Sequence, residues 1–160
     1  LETLAAHGIR FTILAPRQAK AVRKLGAESW IEVNDRTVNT TKAYRCNLPS
    51  GNSIAVFFYE GDISQAIAFN GLLNDGKRFA DRLLNVIDKE DKGPQLVHVA
   101  TDGETYGHHH KHGEMALAFC LDYIEKGDRA KLTNYAQFLA LFPPEEEAQI
   151  IEDSSWSCVH

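Results

Sequence analysis

Apolar positions along the chain fall into short runs with two different periods. Glu2–His7 reads as a helix, and Gly8 suits the left-handed residue that ends one. Ile9–Leu14 is a β-branched apolar run and reads as a buried strand, broken by Ala15-Pro16. Gln18–Leu25 is expected to form one or two helical turns. Trp30–Val33 follows as a short strand, with Asn34-Asp35-Arg36 as a turn. Ala43–Leu48 and Ser53–Tyr59 flank Pro49-Ser50-Gly51-Asn52, a hairpin signature whose second strand is the more buried.

Asp62 or Ser64 is placed to cap a helix running to Leu73, and Asp75 to cap a second over Lys77–Asp88. In the second, Phe79, Leu83, Leu84, Val86 and Ile87 share a face. After the charged loop Lys89–Pro94, Gln95–Ala100 reads as a strand. Glu114–Glu125 reads as a helix with Met115, Ala118, Phe119, Leu121 and Ile124 inward and Cys120 in the packing. Leu132-Thr133 reads as a brief strand, Tyr135–Phe142 as a helix stopped by Pro143-Pro144, and Ala148–Glu152 as a last strand. Strands alternating with helices predict an α/β fold with mainly parallel strands and helices outside. In such folds the loops after the strand C-termini carry the chemistry.

Composition narrows the function classes. The 160 residues form enough chain for one domain with its own core, and no repeat or linker divides them. A net charge of -5 gives no nucleic-acid footprint. No run approaches the roughly 18 apolar residues of a membrane span. Cys46, Cys120 and Cys158 are odd in number and lack metal-pair spacing, which predicts reduced thiols in a cytoplasmic protein. The sequence opens at Leu1 inside a helical pattern and closes at His160 after Ser-Ser-Trp-Ser-Cys, as expected of a piece of a longer protein.

The densest polar segment is Thr101–Glu114, directly after the strand ending at Ala100. A buried strand ending at Ala100 is expected to deliver Asp102 to the mouth of the fold. Gly103 and Gly107 let backbone approach a ligand, and Glu104 is placed to orient Asp102 or bind a hydroxyl. The competing structural role for the Asp and Glu is capping of the helix near Glu114. His108, His110 and His112 alternate, so an extended segment would point them to one side. Their spacing matches no zinc motif; sugar hydrogen bonding or plain exposure is expected instead of a metal, and no cofactor is expected. Glu60 and Asp62 end the strand Ser53–Phe58 and face the same mouth if that strand belongs to the barrel; a turn and helix cap is the alternative. Arg17 follows the first strand and is placed to line the cleft. His98 reads as a hydrogen-bonded core residue, and Trp30 as a core or interface aromatic.

Asp102-Gly103-Glu104-Thr105-Tyr106-Gly107-His108, with the strand before it, resembles the proton-donor segment of glycoside hydrolase family 57. Glu2–Leu14 resembles the helix and strand that follow the family's nucleophile. Glu152-Asp153-Ser154-Ser155-Trp156-Ser157 resembles the Gly-Ser-Trp segment after its barrel, with Ser154 where the family has glycine. Together the likeness spans nearly all of the chain and matches most closely a bacterial subgroup in which the barrel precedes a domain of unknown function. It implies the C-terminal part of an incomplete (β/α)7 barrel, one partial domain over 1–160 with the post-barrel segment starting at 152. It also implies a retaining two-carboxylate mechanism on α-glucan, by hydrolysis or by 4-α-glucanotransfer. Asp102 is then the general acid/base, and Glu104, Tyr106, His108, Trp156 and Glu60 bind the oligo- or polysaccharide. The nucleophile Glu is expected upstream of Leu1, so these residues alone are expected to be inactive. Two other readings share these residues: a metal-dependent polysaccharide deacetylase-like enzyme, and a non-catalytic carbohydrate-binding module. Cut sheet edges are expected to favour oligomers.

Overall fold

In the computed structural model of the chain, residues 1–155 are described. Two compact units emerge: Leu1–Tyr59 together with the chain from Phe138 onward, and Glu60–Gln137.

The first unit is built on a six-stranded sheet. Helix α1 (Glu2–Ala6) ends through Gly8, whose φ of 78° is the left-handed value anticipated. The strands are β1 (Phe11–Leu14), β2 (Ala19–Lys24), β3 (Ile31–Glu32), β4 (Ala43–Asn47), β5 (Ser53–Phe58) and β6 (Glu146–Ile150), ordered β1-β5-β4-β6-β2-β3. Only β1/β5 and β4/β6 are parallel; β4/β5, β2/β6 and β2/β3 are antiparallel. The sheet is therefore mixed, not mainly parallel. One cause is local: Leu48–Asn52 is too short for a crossover and must turn β4 back along β5.

Residues Gln18–Leu25, expected to be helical, form a 3-10 turn (Pro16–Gln18) and then β2, held between β6 and β3. One face of the sheet carries Tyr44, Val56, Phe58, Ile54 and Ala148, all buried. On the other face, Glu147 of β6 lies in register with Arg23 on β2 and Arg45 on β4. Its side chain is 4% exposed and accepts from Arg23 Nε (2.6 Å), Arg45 Nη2 (2.6 Å) and Asn47 Nδ2 (2.7 Å). Arg23 in turn lies 4.3 Å from the centre of the Trp30 ring, so Trp30 packs as a structural aromatic.

The second unit is helical. Helix α2 (Gly61–Phe69) ends before a left-handed Gly71, a 3-10 turn follows at Leu72–Asn74, and α3 (Gly76–Leu84) is capped by Asp75, whose carboxylate accepts from Arg78 N at 3.0 Å. Helix α4 (Gly113–Lys126) crosses α3 closely, because Gly76 has no side chain where Ala116 and Phe119 approach. The core joins Ile63, Ile67, Leu72, Phe79, Leu84, Cys120 and Ile124. The inward face of α4 is Gly113, Ala116, Cys120 and Ile124; Met115, Phe119 and Leu121 are exposed, contrary to the face drawn from sequence. No strand forms at Leu132-Thr133. Helix α5 (Tyr135–Leu141) runs across the boundary between the units in sequence. Among the described residues no helix is long and apolar enough to cross a membrane.

Candidate functional site

The polar loop is built from backbone outward. Gln95–Ala100 forms no strand, contrary to expectation. Its backbone groups find partners on the first turn of α2 instead. Glu60 N–H donates to the His98 carbonyl at 2.9 Å. Ala100 N–H donates to Ser64 Oγ at 3.1 Å, and the Ser64 hydroxyl donates on to the Glu60 carbonyl at 2.7 Å. His98 is buried, with Nδ1 3.0 Å from Tyr135 Oη and the two rings edge to face. Burial raises the Tyr135 hydroxyl above its ordinary pKa. The reading of His98 as a hydrogen-bonded core residue therefore holds.

Beyond Ala100 the chain folds on itself. Asp102 occupies the N-cap of a 3-10 turn, Gly103–Thr105, in extended backbone geometry. Its carbonyl accepts from Thr105 N at 3.0 Å, while its carboxylate makes no cap bond. Among the described residues that carboxylate accepts no hydrogen bond and joins no ion pair, and the residue is exposed. Thr101 Oγ1 donates to Tyr106 Oη at 3.2 Å, and Thr105 is buried beneath the loop. Tyr106 also packs against the helical core.

Glu104 is exposed and turned toward His109, 3.8 Å away, so it does not orient Asp102. Its carbonyl receives both His108 N and His109 N. The His108 ring meets His109 edge-on at 5.1 Å. His110 Nε2 lies 2.9 Å from the Ala68 carbonyl, which can only accept, so that nitrogen carries the proton. His112 sits in left-handed geometry (φ 66°) at the N-cap of α4 and offers its carbonyl to Met115 and Ala116. Residues 108, 110 and 112 thus take different tasks: a ring contact with His109, a side-chain bond to the Ala68 carbonyl, and a backbone cap of α4. Among the described residues no three His, Cys, Asp or Glu side chains gather as a metal site. The cap of α4 is His112, so Asp102 and Glu104 are not spent on it.

Glu60 is the N-cap residue of α2 and is joined to His98 through the backbone bond above, so it adjoins the segment that leads to Asp102. Arg17 Nη2 donates to the Ser155 carbonyl at 3.1 Å. Trp156 lies outside the described residues. Two residues of this region were not singled out as anchors in the sequence: Tyr135, which looked only like a helix start, and Ser64, which looked like a helix cap. A hydroxyl at the fourth position after a strand-ending Glu is the one available hint for Ser64.

The family model for Glycosyl hydrolase family 57 matches residues 1–151. Among solved structures, 4-alpha-glucanotransferase from Thermococcus litoralis is similar at a TM-score of 0.63 and 18% identity, over 93% of this chain and 22% of that one. The chain thus spans about a fifth of the length of that glucanotransferase. No curated protein matches the chain. With a match over nearly its whole length, the α/β chain belongs to glycosyl hydrolase family 57.

Proposed function

We propose that residues 1–160 form part of a retaining α-glucan-active enzyme, a glycoside hydrolase or 4-α-glucanotransferase, in which Asp102 is the general acid/base. The observation that carries this reading is the uncommitted Asp102 carboxylate. An Asp at an N-cap ordinarily accepts a backbone N–H. Here it does not, although the residues before and after it are held by hydrogen bonds. Retaining enzymes set two carboxyl groups about 5 Å apart across the anomeric carbon. One attacks to form a glycosyl-enzyme; the other protonates the leaving oxygen, then takes a proton from water or from an acceptor sugar hydroxyl. Asp102 fits the second task, and the attacking Glu would come from outside these residues. Such chemistry between two carboxylates calls for no cofactor.

Glu60, Glu104, Tyr106 and His108 supply acceptors and donors for sugar hydroxyls on the segments around Asp102, and Trp156 would add an aromatic surface. The substrate class is an oligo- or polysaccharide; the similar solved structure is that of a 4-alpha-glucanotransferase, which favours α-glucan. Buried Cys46 and Cys120, free of disulfides, support a cytoplasmic location. The sheet edges β1 and β3 expose Ile13 and Ile31 and offer a route to oligomers.

Incubating the full-length gene product with maltoheptaose and separating the products tests this. Hydrolysis raises the number of reducing ends; transfer yields longer and shorter glucans at a constant number. A full-length protein that neither converts nor binds malto-oligosaccharides would sink the reading.

A further inference from the structure

The segment bearing Asp102 lies outside the sheet, yet alternate backbone groups along it are satisfied. The His98 carbonyl takes Glu60 N–H, and Ala100 N–H goes to the Ser64 hydroxyl, which is itself fixed by donating to the Glu60 carbonyl. A strand edge would normally find these partners on a neighbouring strand. Here the first turn of α2 provides them, and the Tyr135 hydroxyl anchors the His98 ring from another side. Ser64 is 7% exposed and His98 9%, so water does not compete freely for either anchor.

We infer that Ser64 and Tyr135 are positioning residues: they set where the segment His98–Asp102 lies and hence the angle at which Asp102 is offered to substrate. This rests on the reading of Asp102 as the acid/base for its catalytic consequence, but not for its structural one. Ser64 acts through the Ala100 backbone and Tyr135 through the His98 ring. A fixed strand end matters because misplacing a reacting group by about 1 Å costs on the order of 100-fold in rate.

The experiment compares Ser64→Ala and Tyr135→Phe with the parent full-length protein, by hydrogen exchange of peptides covering 96–102 and by kinetics on maltoheptaose. Exchange in that stretch is expected to rise roughly fivefold or more, with peptides from α4 unchanged. The kcat is expected to fall about 10- to 100-fold at unchanged KM, with a small fall in Tm from the buried hydrogen bond lost. Ser64→Thr, which keeps the hydroxyl, should restore protection. Exchange in 96–102 that stays at the parent level, or rises equally in α4, overturns the inference. So does an accelerated stretch with parental kcat. If the parent protein has no turnover on glucan, the acid/base reading fails, while the exchange result alone still decides whether these two hydroxyls hold the segment.

Discussion

Glu60 and His98 are joined backbone to backbone at 2.9 Å, and through that bond the helix after β5 holds the segment that ends in Asp102. The relationship explains how an exposed carboxylate can still have a defined place. Precision comes from the residues around it, each with a partner, while Asp102 keeps its own oxygens open.

Glu147 should govern acid stability. Hydrogen bonds from Arg45, then Asn47 and Arg23, bring its carboxyl from an ordinary 4.5 down to about 2. A carboxyl depressed in the folded state contributes stability that is fully present above its unfolded pKa. That contribution is lost as pH falls from about 4.5 toward about 2. Glu147→Gln should cost roughly 1–3 kcal/mol at neutral pH, and denaturant titrations should show the gap from the parent closing as pH drops through that window. A constant gap from pH 7 to pH 2.5 would contradict the assignment.

Gly76→Ala should loosen the α3–α4 contact. A Cβ there would stand 2.9 Å from the Ala116 carbonyl oxygen and 3.0 Å from Phe119 carbons. Since the obstacle includes backbone, the helices must separate, and overpacking of this kind costs roughly 1–3 kcal/mol. Thermal melts would read the loss; an unchanged or higher Tm would show that the helices part without cost.

Cys120 should be inert in the folded chain. It is fully buried, and burial lifts its thiol to about 11. At pH 8 a thiol reagent should modify Cys120 only after denaturation, as peptide mapping would reveal. Rapid labelling of the native protein would mean that the α3–α4 core opens readily.

Several of these features are legible in the sequence for physical reasons. The hairpin β4–β5 is fixed by Pro-Ser-Gly-Asn between apolar runs, and Gly51 takes φ 86° as such a turn requires. Asp75 caps α3 because a cap is a local bond between neighbours. Asp102 could be singled out because a polar, glycine-containing motif follows an apolar run.

Other features depend on partners distant in sequence. The Ala-Lys-Ala-Val-Arg-Lys stretch of β2 is good helix composition, but pairing with β6 and β3 overrides it. The apolar residues of α4 lie on more than one side, so the sequence gives no single stripe; the buried side, Ala116, Cys120 and Ile124, is the one that joins the core with α2 and α3. The three alternating histidines suggested a common direction that requires extended backbone, whereas the chain turns through His110–Gly113 and His112 is left-handed. The anchors Ser64 and Tyr135 lie 36 and 37 residues from their partners Ala100 and His98, beyond the reach of any local pattern.

The most direct test of the central claim is the turnover of Asp102→Asn in the full-length protein on maltoheptaose, beside Glu104→Gln. Removing a general acid is expected to lower kcat about 10²- to 10⁴-fold. Because Asp102 is exposed and its carboxylate caps nothing, its Tm should hold, a surface change costing no more than about 0.5 kcal/mol. Glu104→Gln, at a residue proposed to bind a sugar hydroxyl and not to transfer the proton, should raise KM and leave kcat near the parental value. Near-parental turnover of Asp102→Asn would contradict the account.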